Sequence, residues 1–154
     1  MKTAIAITAA GLMSLGIVGT TPARAYHLIP ENTDFTGTGT TSATKNGVTL
    51  QCKAKFQGHT DAKGVGYITG GSFSGQLGCD TVGLGGLPWK SPAKSATKVI
   101  INNVSFTSPI GNCGPGNVPV KLVDGVIKFK NVGLAGNCTI SGKITTSPTV
   151  SIVP

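Results

Sequence analysis

Residues 118–130 read VPVKLVDGVIKFK, and this stretch decides the fold because it describes a complete β-hairpin. Apolar and polar residues alternate on both sides of Asp124-Gly125, a pair that suits the positive φ angles of a tight two-residue turn. Pairing outward from that turn gathers the apolar side chains on one face and sets Lys121 opposite Lys128 on the other. Like charges directly opposite repel. The lysine face is therefore predicted to be solvated or to meet an anionic partner.

The same alternation occurs in residues 48–56, VTLQCKAKF, where Cys52 falls on the apolar face and Lys53 on the polar face. Val, Ile and Thr dominate the segments between the Gly-rich and Asn-rich turn signals, and we find no amphipathic helix. The sequence therefore predicts an all-β protein built from many short antiparallel strands.

A recurring phrase indicates how these strands are shaped. GYITGGSFSGQLGC at 66–79 resembles VIINNVSFTSPIGNC at 99–113 and VIKFKNVGLAGNC at 126–138, and each copy ends in a cysteine. In the second and third copies the period-two pattern of apolar residues slips by one position, which a β-bulge or a bend would produce. Several bent strands joined by hairpins predict a β-sandwich or a partly open barrel. The strand order stays open.

The N-terminus has the pattern of a secretory signal peptide in residues 1–25, with an apolar run after Lys2 and a small-residue cleavage site at 23–25. Its removal leaves residues 26–154 as a single domain, of which 26–47 is expected as a loosely ordered arm or an edge strand. No later run approaches the roughly 20 apolar residues of a membrane span. We expect a secreted protein without a transmembrane segment, extracellular, attached to the cell surface or periplasmic.

Four cysteines in an exported chain predict two disulfides that staple the domain. Three pairings are possible, and similar sequence separations favour the sequential one, Cys52–Cys79 with Cys113–Cys138. Both histidines lie far in sequence from any cysteine, so ligand spacing supports no metal site.

The motifs that resemble catalytic ones fail in their details. Neither Ser72 nor Ser74 has the G-x-S-x-G spacing of a nucleophile elbow, and VGLGGLPW at 82–89 lacks the third glycine of a phosphate-binding loop. His59 and Asp61 lie in a predicted turn and could in principle form an acid-base couple, but turn chemistry explains Asp61. We therefore predict no catalytic residues, no cofactor and no enzymatic activity.

The charge is strongly basic, and removing Lys2 and Arg24 with the signal peptide lowers the formal net charge from +8 to +6. The remaining cations are all lysines, which disfavours specific nucleic-acid recognition because arginine provides bidentate contacts. Anionic polymers of the envelope or matrix are the alternative partners. The candidate basic face consists of Lys53, Lys55, Lys121, Lys128 and Lys130.

The segment GLPW contains the chain's single tryptophan. Two interpretations are open: the indole packs against the edge of the core, or the loop is an exposed apolar anchor for oil, lipid or protein. On the second interpretation the candidate apolar interface loop is Leu87, Pro88 and Trp89.

The order of motifs resembles the bacterial family called protein activator of alkane oxidation. The most specific pieces are GLPW at 86–89, CGPGNVPV at 113–120 and SGKITTSPT at 141–149, and the resemblance covers nearly all of the mature chain. It implies an exported, non-enzymatic protein that promotes bacterial growth on water-insoluble alkanes and that is also linked to the surface and matrix of biofilms.

The resemblance leads to two expected functions. The first is an accessory protein that acts where hydrocarbon droplets or cell surfaces meet water. The alternative is a structural or adhesive component of the cell surface or biofilm matrix, able to self-associate through edge strands or to adhere through its lysines.

Overall fold

The computed structural model describes residue 19 and residues 25–154, and most of the described chain is extended. The predicted signal peptide therefore lies almost entirely outside the described residues. One short 3₁₀ helix, Cys79–Thr81, accompanies the strands of the described chain. These strands are β1 (His27–Ile29), β2 (Thr33–Lys45), β3 (Val48–Thr60), β4 (Gly66–Gly75), β5 (Gly83–Gly85), β6 (Trp89–Ser91), β7 (Lys98–Ser108), β8 (Gly111–Val123), β9 (Val126–Leu134), β10 (Cys138–Ser147) and β11 (Ser151–Val153).

Nine of these strands form one antiparallel sheet in the order β5-β7-β8-β9-β10-β2-β3-β4-β6, and β1 pairs with β11 separately. The large sheet curls until its edges approach each other: β6 packs against β7, and Ala93, just beyond β6, bridges Val99. The predicted all-β fold is confirmed, in the form of a half-barrel rather than a sandwich.

The hairpin at 118–130 has the predicted register, with Lys121 opposite Lys128. Asp124 and Gly125 adopt φ angles of 49° and 77°, as a tight primed turn requires. The apolar residues of β8 and β9 consequently face the inside of the curl, and the lysines face outward.

The slip in the apolar pattern marks bulges. The pairing of β7 with β8 shifts its register between Ile101 and Val104. The pairing of β9 with β10 also shifts, between Ile140 and Gly142 of β10. A further shift, opposite Gln57 and Gly58, lies in the first copy of the phrase. Because bulges bend a strand and increase its twist, the three copies help to curl the sheet.

One expectation is wrong. The Thr/Gly-rich segment of 26–47 is neither an arm nor an edge strand, because β2 lies in the middle of the sheet between β10 and β3. Its glycines are there because neighbouring atoms occupy the space of a side chain: a Cβ at Gly37 would lie 2.8 Å from Cγ2 of Ile144. Close packing, rather than flexibility, explains this composition.

We expect Gly39→Ala to destabilise the fold by about 2–3 kcal/mol, since a Cβ at this position would collide with the backbone carbonyl of Lys143 on β10. Gly133→Ala is the matched control, because that strand glycine has no atom within 4 Å of its Cβ position. Urea unfolding of both variants measures the difference. Equal midpoints would show that β2 and β10 are not so closely apposed.

Both predicted disulfides are present, Cys52–Cys79 and Cys113–Cys138, with Cα–Cα distances of 5.7 Å each. The first belongs to a small apolar cluster with Leu50, and the second to the main core. No helix in the described part of the chain is long and apolar enough to cross a bilayer.

Candidate functional site

The inside of the half-barrel contains a cavity of about 110 Å³ with almost wholly apolar walls. All five phenylalanines and the single tryptophan line it. They are Phe35, Phe56, Phe73, Phe106, Phe129 and Trp89. Aliphatic side chains from β3, β4, β7, β8, β9 and β10 complete the wall. We call this cavity the inner cleft.

The inner cleft is not filled by its own side chains. Phe56, Phe73, Phe106 and Phe129 point into the curl, yet each is only half-buried. The rings of Phe56 and Phe73 meet edge to face, with centroids 5.6 Å apart, which is a favourable aromatic contact. Aromatic surface inside the fold therefore remains available to a ligand.

The lining of the inner cleft extends along the strands. Its wall includes Phe35 and Ala43 on β2, which are eight residues apart and hence separated by about 27 Å along an antiparallel strand. The cavity of about 110 Å³ is thus bordered by residues that are spread along the length of a strand.

The two disulfides lie near one end of the half-barrel. Cys52 lines the inner cleft. Close to the other bridge, the Lys45 ammonium group donates hydrogen bonds to the carbonyls of Asn112 and Gly136 at 2.9 and 2.7 Å. These contacts satisfy the Lys45 ammonium group at the end of β2, outside the lining of the inner cleft.

The GLPW segment is divided between the interior and the surface. Trp89 is only 5% exposed, lines the inner cleft and donates its indole N–H to the carbonyl of Gly85 at 2.8 Å. Leu87 is 36% exposed, and Pro88 is exposed. An apolar contact made by this loop at an interface stays a prediction, and Leu87 and Pro88 are the residues available for it.

The outer face of the sheet is basic. The five lysines of the candidate basic face alternate with inward-facing residues and are all exposed. The pairing between strands adds two lysines to this face that the alternation within single strands did not reveal. Lys98 lies opposite Lys121, and Lys143 lies opposite Lys128. Strand order was needed to find them.

The residues considered for catalysis do not assemble. The imidazole Nδ1 of His59 lies 2.7 Å from a carboxylate oxygen of Asp34, but this pair is on the outer surface. The carboxylate of Asp61 accepts backbone N–H groups from Lys63 and Val65, which fixes the predicted turn. Among residues 25–154, no three potential metal ligands come together.

Fold and site together define a disulfide-bonded all-β protein with an apolar interior cleft and a lysine-rich exterior. The chain belongs to the PraA/PraB-like family of alkane oxidation protein activators, since the family model matches residues 1–154. The resemblance found in the motifs is thereby confirmed. No curated protein and no solved structure matches the chain.

Proposed function

We propose that this protein is a secreted, non-enzymatic accessory factor in alkane use, and that it acts at the hydrocarbon–water interface by holding part of an alkyl chain in the inner cleft. The apolar, incompletely filled cleft carries the proposal. The family description, an activator of alkane oxidation, supports an accessory rather than a catalytic role.

Size and shape support a chain segment as the occupant. An apolar cavity of about 150 Å³ stays dry and binds a molecule as small as benzene. The inner cleft, at about 110 Å³, suits a few methylene groups in extended conformation, while the rest of a longer alkane extends from it. Because the lining follows β2 over several residues, an extended chain is expected to fit it better than a ring of the same carbon number.

The free energy of transferring an alkyl chain into the inner cleft favours reversible exchange of the chain over its storage. Each methylene group that leaves water for an apolar site gains about 0.8 kcal/mol, so a dissolved alkane is bound readily. A methylene group already in an oil droplet gains only the closer packing of the protein interior. Binding from oil is therefore nearly neutral, and the protein can take up a chain at a droplet and release it elsewhere.

The test uses Trp89 as a built-in reporter, because this single tryptophan lines the inner cleft. Titration of the mature protein with n-octane is expected to change its fluorescence saturably, whereas cyclooctane, with the same number of carbons, binds more weakly. Ala43→Phe fills the inner cleft from β2 and should weaken n-octane binding about tenfold or more while leaving the melting temperature unchanged or higher.

The matched control is Thr44→Phe, which adds the same ring to the next residue of β2. Thr44 faces outward and exchanges a hydrogen bond with Thr49, so this variant should bind n-octane like the parent. Equal binding by the parent protein and Ala43→Phe would remove the inner cleft from the proposal. Tight n-octane binding without partition onto droplets would refute only the interfacial role and would leave the inner cleft as the binding site.

A second candidate function is a structural or adhesive component of the cell surface or biofilm matrix. It is supported by a different observation, the exposed lysines of the outer face. This function needs an anionic partner or sheet-edge self-association, and it needs no occupant in the inner cleft.

A further inference from the structure

The outer face carries a continuous row of lysines that runs across the strands. Register places Lys98 of β7 opposite Lys121 of β8, Lys121 opposite Lys128 of β9, and Lys128 opposite Lys143 of β10. The row continues through Thr40 of β2 to Lys53 of β3. We call these five lysines the lysine row.

The lysine row is long, follows the outer curve of the half-barrel and is uncompensated. With about 4.8 Å between neighbouring strands, its five steps span about 24 Å. All five side chains are exposed. None forms an ion pair with a carboxylate of the described chain, where the ion pairs are His27–Glu31 and His59–Asp34.

Such an arrangement is unfavourable for the folded protein alone. Like charges directly opposite each other on a sheet destabilise it, and here three successive pairs are lysine against lysine. A polyanion laid along the lysine row would relieve all three repulsions at once. The geometry fits an unbranched polymer that bends with the sheet, because the charges follow one line around its outer face.

A groove of about 500 Å³ lies beside the middle of the lysine row. Lys128, Lys130 and Lys143 border it together with hydroxyl groups, among them those of Thr40 and Ser42. The Thr40 and Ser42 hydroxyls form no hydrogen bond with other described residues, so they are available to a ligand. The groove thus combines cations with free hydroxyl groups.

We propose that the lysine row and this groove bind a linear acidic polysaccharide, whose carboxylates pair with the lysines while its hydroxyl groups bond to Thr40 and Ser42. Nucleic acid fits less well. The mature sequence contains no arginine for bidentate phosphate contacts. Phe129 borders the groove, but its ring occupies the Cβ space of Gly142 and offers no free platform for base stacking.

This inference gives the second candidate function a partner and is independent of the inner cleft. The test measures binding of the mature protein to polygalacturonate, a linear polyuronate, and to the same polymer with its carboxylates methyl-esterified. We expect saturable binding to the acidic form, weakened by salt, and none to the ester.

Lys121→Gln/Lys128→Gln/Lys143→Gln is expected to weaken polygalacturonate binding about tenfold or more, because it removes the centre of the lysine row. Its melting temperature should stay the same or rise, since repulsion is removed. The control, Lys63→Gln/Lys90→Gln/Lys94→Gln, loses the same charge from exposed positions outside the row and should weaken binding less than about threefold.

Three results would overturn the proposal. Equal losses in the two triple variants would mean that net charge, rather than the lysine row, attracts the polymer. Equal binding to the methyl ester would exclude the carboxylates. Tighter binding to duplex DNA or to anionic phospholipid vesicles than to polygalacturonate would assign the face to a different class of partner. None of these measurements depends on n-octane binding, so failure here and failure at the inner cleft are distinguishable.

Discussion

Trp89→Ala is expected to lower the free energy of unfolding by about 3–5 kcal/mol, the range typical of a large aromatic residue removed from a core. Trp89 is only 5% exposed and belongs to the main core with Ile68, its partner in the neighbouring strand β4. Truncation also leaves the carbonyl of Gly85 without its indole donor. Thermal unfolding is expected to shift by roughly 10–20 °C.

Two further variants separate the contributions to this loss. Trp89→Phe keeps most of the apolar contact but lacks the N–H group, so it should recover more than half of the stability. Leu87→Ser changes an exposed neighbour in the same segment and should stay within about 0.5 kcal/mol of the parent. Trp89→Ala with unchanged stability and reduced droplet binding would mean that the indole is a surface anchor.

This distinction affects how the interface hypothesis is tested. A loss of droplet binding in Trp89→Ala is ambiguous, because the variant is also expected to unfold more readily. Leu87→Ser is the informative change, since Leu87 is 36% exposed. Reduced droplet partition with unchanged stability in that variant would support the loop as a contact with oil.

Local pattern predicted the hairpin and the bulges because both depend on neighbours in sequence. Asp124-Gly125 specifies its own turn, and period-two alternation assigns Lys121 and Lys128 to one face without knowledge of the rest of the sheet. The slip at 99–106 needed only the positions of apolar residues within one strand. Disulfide pairing followed from similar sequence separations and is present as predicted.

Features that depend on distant strands were not predictable in this way. β2 was expected at an edge because glycine weakens a strand considered alone. Gly39 makes sense only when the backbone of Lys143 on β10 is beside it. Lys98 and Lys143 likewise joined the basic face only through register. The inner cleft forms only when the whole sheet curls. The alternation within single strands therefore identified its side chains only as core residues.

Loss of either disulfide is expected to destabilise the protein by about 3.5 kcal/mol, because the bridges close loops of 27 and 25 residues whose constraint on the unfolded chain has that magnitude. Alanine replaces each cysteine pair, which avoids burying a hydroxyl at Cys79, a fully buried position. Urea unfolding compares Cys52→Ala/Cys79→Ala with Cys113→Ala/Cys138→Ala.

The two bridges should differ in their effect on binding, although their effects on stability are similar. Cys52 lines the inner cleft and packs with Leu50, which also lines it, so losing the Cys52–Cys79 bridge should loosen that part of the wall and weaken n-octane binding. Cys113 and Cys138 are core residues that do not border the inner cleft. Their variant, measured below its unfolding transition, should bind n-octane like the parent. The opposite ranking would place the occupied part of the interior next to Cys113–Cys138 and contradict the assigned position of the inner cleft.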